Sequence, residues 1–257
     1  MPGSLFNSII FGPVRSRRLG VSLGMNILPP HIKFCSFNCI YCECGWTEAS
    51  DISTAEFYKP EEIREALESQ LIFLKEQNVS PDAITFAGNG EPTTHPYFDI
   101  IVDNTIELRD KYFPSAKIAV LSNSTMLSDE KVLKSLMKTY NIMKLDAGTD
   151  RTFKLLNKPR YKITLEQIVG DLKKFNGNLV IQTMFIRGTI DNEVVDNTSD
   201  DELGLLLQHI ASIKPKEVMI YSLDRRPPHA QLEKISNEEL EKIAQRIRQL
   251  NIKCSVY

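Results

Sequence analysis

Residues 34–42 read FCSFNCIYC, which places Cys35, Cys39 and Cys42 in a C-x3-C-x2-C spacing. The run follows an apolar stretch, residues 21–28, that we predict to be a strand. Three thiols this close together are hard to explain as packing, and they indicate metal binding or catalysis. Folds built from alternating strands and helices carry their chemistry at such strand ends, so the run also predicts the class of fold.

The remaining sequence alternates between short apolar runs and helical segments. Five further strands are predicted at residues 83–87, 117–121, 142–145, 179–185 and 217–221. Helix signals lie between them: Pro60 precedes an apolar stripe, and capping boxes occupy residues 164–167, 199–202 and 236–239. Six successive strand–helix units predict an α/β fold with a parallel sheet, as a partial (β/α)6 barrel. An open doubly wound sheet is the competing architecture.

We expect one domain over residues 1–257, with 1–20 as an N-terminal extension and 251–257 as a short apolar tail. Residues 191–202 contain six acidic side chains and neither Lys nor Arg. This pattern predicts a solvated loop that leads into a helix.

The composition excludes several classes of protein. The chain has 257 residues, of which 42% are hydrophobic and 25% charged, and its net charge is −2. These values argue against a disordered chain and against a generally basic nucleic-acid binder. No apolar run approaches the ~18 residues of a membrane span, and no signal peptide is evident. We therefore expect a cytoplasmic protein that does not bind a membrane.

The cysteine run allows three interpretations. The thiols could be buried and reduced, or they could bind zinc with Cys44 as a fourth ligand. They could instead bind an iron–sulfur cluster, in which three ligands would leave one iron of a four-iron cube open. An open iron is useful when a substrate or cosubstrate must coordinate there. Cys44 could then be a hydrogen donor, an alternative ligand or a bystander.

Two motifs together resemble the radical S-adenosylmethionine (radical SAM) superfamily. One is the cysteine run, with Tyr41 before its last cysteine; the other is the sequence Gly88-Asn89-Gly90-Glu91-Pro92 after the second strand. The resemblance implies that the three cysteines hold a [4Fe–4S] cluster and that SAM chelates its open iron. One electron then cleaves SAM to a 5′-deoxyadenosyl radical, which abstracts hydrogen from a substrate.

The resemblance also implies SAM contacts. The Tyr41 backbone would approach adenine, and the segment Gly88, Asn89, Gly90 and Glu91 would hold the amino group. Three side chains at later strand ends would approach the ribose and the carboxylate: Ser122, Asn123 and Asp146. Asp146 could instead cap the following helix.

Four runs carry a closer resemblance: GPVRSRRLG at residues 12–20, GNGEPT at 88–93, LDAGT at 145–149 and DRRPP at 224–228. Across residues 12–228 the chain resembles the group that includes wyosine-type tRNA-modifying synthases. The chain departs from that group because it lacks a second cysteine set; Cys254 is isolated, and we expect it to pack in the core.

Basic side chains near the predicted strand ends suggest an anionic substrate. Residues 1–42 contain no acidic side chain. The basic residues expected around one mouth are Arg15, Arg17, Arg18, Lys33, Lys158, Arg160, Arg225 and Arg226. They would suit tRNA phosphates or a small anionic metabolite, unless they form structural salt bridges. We expect an oxidoreductase that acts as a monomer with a reductant such as flavodoxin or ferredoxin. The rival functions are a zinc-binding structural or RNA-interaction module and an iron–sulfur electron carrier.

Overall fold

A computed structural model of the chain describes residues 5–224 and 231–257. The described residues form these strands: β1 Ile10–Ser16, β2 Gly20–Met25, β3 Ala83–Phe86, β4 Lys117–Ser122, β5 Tyr140–Lys144, β6 Val180–Met184, β7 Ile186–Ile190, β8 Glu193–Asp196, β9 Glu217–Tyr221, β10 Leu232–Lys234 and β11 Lys253–Val256. The helices are α1 Ala49–Ser53, α2 Pro60–Glu76, α3 Phe98–Tyr112, α4 Glu130–Met137, α5 Asp150–Asn157, α6 Leu165–Lys173, α7 Asp200–Ile213 and α8 Asn237–Arg248, and Pro92–Thr94 forms a 3-10 turn.

The central sheet has the strand order β1-β2-β3-β4-β5-β6-β9-β11. Every pair from β2 to β11 is parallel, and β1 adds to β2 as an antiparallel edge. The six predicted strands are all present, and the prediction of a partial α/β barrel is confirmed. The predicted C-terminal tail contributes β11 as a seventh parallel strand beside β9.

The sheet curves around a small interior cluster. This cluster takes one residue from each of five consecutive strands, together with Leu19: Ala83, Ala119, Ile142, Val180 and Met219. The turn between β1 and β2 reaches the far side of the sheet, where Arg17 Nη2 lies 3.1 Å from Asp224 Oδ2 beyond β9. Because four strands separate β2 from β9 in the sheet order, this contact requires strong curvature.

Helix α2 packs on the outside of the sheet as the sequence predicts. Its buried stripe consists of Ile63, Leu67, Leu71 and Leu74, with Pro60 in the first turn. The capping box of α6 is also formed, since Thr164 accepts from the Gln167 N–H and the Gln167 side chain accepts in return. Among the described residues, no helix has the length and apolar character needed to span a membrane.

The acidic stretch differs from its prediction. Residues 193–196 form β8 in a small antiparallel sheet of order β10-β7-β8 rather than a loop. Asp191 and Asn192 adopt positive φ angles of 50° and 65° and make the tight turn between β7 and β8. Such a pair of turn residues between two short runs is the available hairpin signal in the sequence.

The predicted capping box at residues 199–202 is wrong. Ser199 makes no side-chain hydrogen bond at the start of α7. The Glu202 carboxylate instead accepts from the backbone of Gly148 and Thr149 and from the Thr152 hydroxyl. The Glu202 carboxylate gains several hydrogen bonds from donors on or just after the loop that follows β5. In a capping box it would accept only one backbone N–H, that of Ser199.

His95 makes the fold sensitive to acid. The ring is 3% exposed; its Nδ1 accepts from the Tyr97 N–H and its Nε2 lies 3.1 Å from the Tyr58 carbonyl oxygen. Burial lowers the pKa of His95 to about 4, so protonation favours the unfolded chain, whose histidine titrates near 6.5. This contribution to stability is complete above pH 6.5 and is lost as the pH falls toward 4.

We expect the His95 contribution to the free energy of unfolding to fall by about 2 kcal/mol between pH 7 and pH 5. The measurement is denaturant unfolding across this range for the wild type, His95→Gln and the exposed control His31→Gln. The His95 variant should lose this part of the pH dependence, and the His31 variant should keep it. Parallel pH profiles for the wild type and His95→Gln would contradict the assignment.

Candidate active site and cofactor site

The predicted cysteines lie at the carboxyl edge of the parallel sheet. Cys35, Cys39 and Cys42 line one open cavity of about 180 Å³. The other predicted residues on its wall are Tyr41, Gly90, Glu91, Ser122 and Asn123. Further lining side chains are Phe37, Leu121, Ile142, Lys144 and Gln182, of which strand alternation in the sequence had indicated Gln182.

Backbone hydrogen bonds hold the cysteine loop from both sides. On one side the Phe34 N–H donates to the Asn89 carbonyl at 2.8 Å, and the Glu91 N–H donates back to the Phe34 carbonyl at 3.0 Å. On the other side the Ile40 N–H donates to the Leu156 carbonyl at 3.0 Å. The loop is therefore fixed between the second motif and the end of α5.

The donor set fits an iron–sulfur cluster. Asn123 Nδ2 lies 3.5 Å from Cys35 Sγ, and Asn157 Nδ2 lies 3.5 Å from Cys39 Sγ. Amide donors beside thiolate sulfurs orient cluster ligands and tune their charge. Burial raises the pKa of Cys35 to about 12 and also raises the pKa of Cys39. Both are neutral thiols without metal, and binding a cluster must release their protons.

A single zinc ion is a poorer fit to the same residues. Among residues 5–224 and 231–257, no three His, Cys, Asp or Glu side chains converge closely enough to hold one metal ion. The ligands of a four-iron cluster lie farther apart, because each thiolate binds a different iron. The spacing of the thiols thus favours the cluster interpretation over the zinc interpretation.

Cys44 lies beside Cys42 at the edge of the site. Its Sγ lies 3.4 Å from the Gly88 carbonyl oxygen. Its hydrogen bond to the Cys42 sulfur lowers the pKa of Cys42 and raises its own. Cys254 is buried in β11, as expected for a core residue.

Lys33 does not lie on a basic rim. It is 2% exposed, and its Nζ donates to the Gly45 carbonyl at 2.9 Å. Its charge lowers the pKa of Cys42, after the larger effect of Cys44. The prediction of Lys33 as part of an open basic mouth is therefore wrong, since its ammonium group is buried close to the cysteines.

The two glycines of the second motif meet close neighbours. Gly90 has φ +142°, and a Cβ there would lie 2.0 Å from the Phe34 carbonyl oxygen. Gly88 has φ +145°, and its Cβ would lie 2.5 Å from Asn26 Oδ1. Both positions therefore require glycine for conformation and for space.

The Asn89 side chain points away from the cavity. Its Nδ2 donates to the Phe6 carbonyl at 2.8 Å and to the Pro29 carbonyl at 2.9 Å, and its Oδ1 accepts from the Phe6 N–H. The amide thus fixes the N-terminal segment. Only the backbone of Asn89 faces the cysteine loop, where it accepts from Phe34.

Glu91 joins the ends of β3 and β4. One carboxylate oxygen accepts from the Thr93 N–H and hydroxyl, and the other accepts from the Asn123 N–H at 2.5 Å. Burial raises the pKa of Glu91 despite these donors. The carboxylate therefore positions Asn123, whose amide contacts Cys35.

Asp146 lies beneath the cavity in a buried network. It accepts from the Tyr41 hydroxyl, its Oδ2 lies 2.8 Å from Lys144 Nζ, and its Oδ1 accepts from the Met184 N–H at 2.9 Å. Thr149, rather than Asp146, caps α5, so the capping interpretation of Asp146 is wrong. The structure thus brings Tyr41 and Asp146 together, because the Tyr41 hydroxyl donates to the Asp146 carboxylate. The role of Asp146 in SAM binding stays a prediction.

The other basic residues of the predicted mouth have different surroundings where the structure describes them. Arg15 and Arg17 are exposed on the β1–β2 hairpin. Lys158 pairs with Asp191 at 2.8 Å, and the Arg160 N–H donates to the Ser36 carbonyl. Arg225 and Arg226 fall outside the described residues.

Gly90→Ala should disturb the cysteine loop. The new Cβ would clash with the Phe34 backbone, so we expect a loss of more than about 2 kcal/mol in the free energy of unfolding, with less bound iron after reconstitution. The matched control is Gly170→Ala in α6, where a Cβ meets nothing within 4 Å. Alanine should stabilise that helix by up to about 1 kcal/mol. Equal behaviour of the two variants would contradict this interpretation of Gly90.

The geometry defines a cofactor-binding α/β protein with a thiol-lined cavity at the carboxyl edge of its sheet. A sequence model of the radical SAM superfamily matches residues 30–200, which is more than half of the chain and includes both motifs. The chain therefore belongs to the radical SAM superfamily. The cofactors that this family supports are SAM and a [4Fe–4S] cluster, which Cys35, Cys39 and Cys42 would hold.

Relatives with related sequences extend over most of this chain. A UPF0026 protein from Helicobacter pylori strain 26695 is 31% identical, over 97% of this chain and 73% of its own length, so the chain also belongs with the UPF0026 proteins. A Brachyspira hyodysenteriae protein named GTPase Obg is 31% identical over 91% of this chain. The chain spans about a third (32%) of that protein.

Solved structures share the fold at low identity. A radical SAM methyltransferase from Sphaerobacter thermophilus aligns with a TM-score of 0.66 at 16% identity, covering 92% of this chain and 65% of that one. SuiB from Streptococcus suis, bound to S-adenosylmethionine, aligns with a TM-score of 0.63 at 16% identity, covering 88% and 48%. At these identities the likeness concerns the fold alone.

Proposed function

We propose that this protein is a radical SAM enzyme that abstracts hydrogen from an anionic substrate. One observation carries the proposal: the three cysteine thiols share a cavity with Gly90, Glu91 and Asn123 at the carboxyl edge of the sheet. When bound, the cluster supplies one electron that cleaves SAM reductively to a 5′-deoxyadenosyl radical.

The residues around the cavity have separable tasks. The glycine at 90 lets the backbone approach the cysteine loop, and Glu91 holds Asn123 beside Cys35. Apolar side chains at Leu121 and Ile142 form the wall on the interior side. Such a wall keeps water from a reactive intermediate.

A small anionic metabolite is better supported as the substrate than tRNA. Two of the basic residues are not available to a polyanion, since Lys33 is buried and Lys158 is paired with Asp191. The β1–β2 turn also lies across the open side of the barrel, through the contact of Arg17 with Asp224. An electron-donor protein such as flavodoxin or ferredoxin is the proposed reductant.

The test is low-temperature electron paramagnetic resonance of anaerobically reconstituted, dithionite-reduced protein, with and without SAM. We expect a four-iron signal that changes on adding SAM, together with release of 5′-deoxyadenosine that requires the reductant. A four-iron signal that does not change on adding SAM would favour an electron carrier. One zinc per chain without iron would favour the structural module. Either of these results would overturn the proposal.

A further inference from the structure

Two cavities share a wall in the interior of the barrel. The cavity with the cysteines shares Leu121 and Ile142 with a second cavity of about 150 Å³. The second cavity is lined by the inner face of the β1–β2 hairpin and of β3, including Arg18, Ser22 and Thr85. The proposed reaction does not use this second space, which adjoins the SAM site.

Arg18 brings an incompletely paired charge to that space. Its guanidinium carbon lies 4.7 Å from the centre of the Tyr221 ring, which fixes its plane. Its Nη1 is buried and has no hydrogen-bond partner among the described residues. A guanidinium group stays charged in proteins. A buried donor of this kind is costly when unpaired, and an oxyanion would satisfy it.

Gln182 continues the same polar wall toward the cysteines. Its Nε2 donates to the Tyr221 hydroxyl at 2.7 Å. This hydrogen bond orients the amide and leaves Oε1 buried, with no donor among residues 5–224 and 231–257. Gln182 lines the cysteine cavity and Arg18 lines the second cavity. Tyr221 contacts both side chains, and so it connects an unsatisfied donor, Arg18 Nη1, with an unsatisfied acceptor, Gln182 Oε1.

We propose that Arg18, Tyr221 and Gln182 form a substrate subsite for a small molecule that carries a carboxylate or phosphate group and a hydrogen-bond donor. The oxyanion would pair with Arg18, and the donor would reach Gln182 Oε1. The part of the molecule between them would lie against Leu121 and Ile142, beside the SAM site. This assignment of a substrate class rests on the proposed function, although binding of the anion itself does not.

The test is calorimetric titration of the reconstituted full chain with inorganic phosphate or acetate, each up to about 10 mM, without and with SAM. We expect at least one anion to bind both forms, and its identity separates a phosphate substrate from a carboxylate substrate. Arg18→Gln should weaken that binding at least about tenfold and leave SAM affinity unchanged. The control Arg15→Gln removes an equal charge from an exposed position on the same hairpin and should leave both affinities unchanged.

Three results would overturn the subsite: neither anion binds, both arginine variants lose binding equally, or SAM displaces the anion and Arg18→Gln loses SAM binding. The last result would make Arg18 a SAM ligand. If Arg18→Gln does not fold, Arg18→Lys replaces it; loss of the planar fork should weaken the anion about threefold or more, and unchanged affinity would overturn the proposal. A wild type that binds the anion through Arg18 but whose four-iron signal does not change on adding SAM would refute the proposed function alone.

Discussion

Replacing Cys35, Cys39 or Cys42 with alanine should abolish cluster binding. Wild-type protein reconstituted without oxygen should carry about four irons per chain, and each variant should carry close to none. The reason is that the site has only three thiolate ligands for a four-iron cube, so the loss of one leaves too few to hold it. Iron and acid-labile sulfide content measure the effect directly. The free energy of unfolding of the iron-free protein should change much less, since these cysteines are only half-buried.

Two other cysteines serve as matched controls for that result. Cys254→Ala removes a thiol from β11, away from the cavity, and should keep the full iron content at some cost in core packing. Cys44→Ser keeps a hydrogen-bond donor toward the Gly88 carbonyl and should also keep the cluster. Loss of iron in Cys44→Ser would make Cys44 a ligand. Retention of iron in Cys39→Ala would contradict the three-cysteine assignment.

The sequence predicts those strands whose hydrophobic pattern lies entirely within the strand itself. Strands covered on both faces are short, continuous apolar runs. This explains why the six inner strands of the central sheet could be predicted, namely β2, β3, β4, β5, β6 and β9. Strand β11 reads Lys-Cys-Ser-Val and pairs on one side with β9. Its alternation of polar and apolar residues was the available strand signal in the sequence, although it covers only four residues.

The site could be predicted as a set of residues but not as a set of contacts. The cysteine spacing and the paired glycines are visible within a few residues of sequence. The direction of the Asn89 side chain cannot be predicted from the sequence, because it depends on the positive φ angles at Gly88 and Gly90. These angles turn the side chain toward Phe6 and Pro29. The contact between Tyr41 and Asp146 spans 105 residues, so no local pattern encodes it. A lysine at the end of the apolar strand β5 was the available signal for a buried charge at Lys144.

Removing one partner of the pair formed by Lys144 and Asp146 should destabilise the fold strongly. The two side chains are 15% and 1% exposed, and Nζ lies 2.8 Å from Oδ2. Burial disfavours the charged lysine, but Asp146, Cys39 and Tyr221 together outweigh this effect and raise the pKa of Lys144. Asp146→Ala would leave that ammonium group buried without its counter-ion and would remove the acceptor of the Tyr41 hydroxyl. We expect a loss of about 3–5 kcal/mol in the free energy of unfolding.

A double-mutant cycle separates the loss of the pair from the burial of an uncompensated charge. Lys144→Met combined with Asp146→Ala should cost less than the sum of the two single variants, because the double variant buries no unpaired ion. The exposed pair of Lys134 and Glu130, with side chains 72% and 82% exposed, is the matched control, and Glu130→Ala should cost no more than about 0.5 kcal/mol. If Asp146→Ala costs as little as Glu130→Ala, the network does not stabilise the fold. If that stable variant also loses SAM binding, Asp146 acts on the cofactor as its place in the sequence predicts.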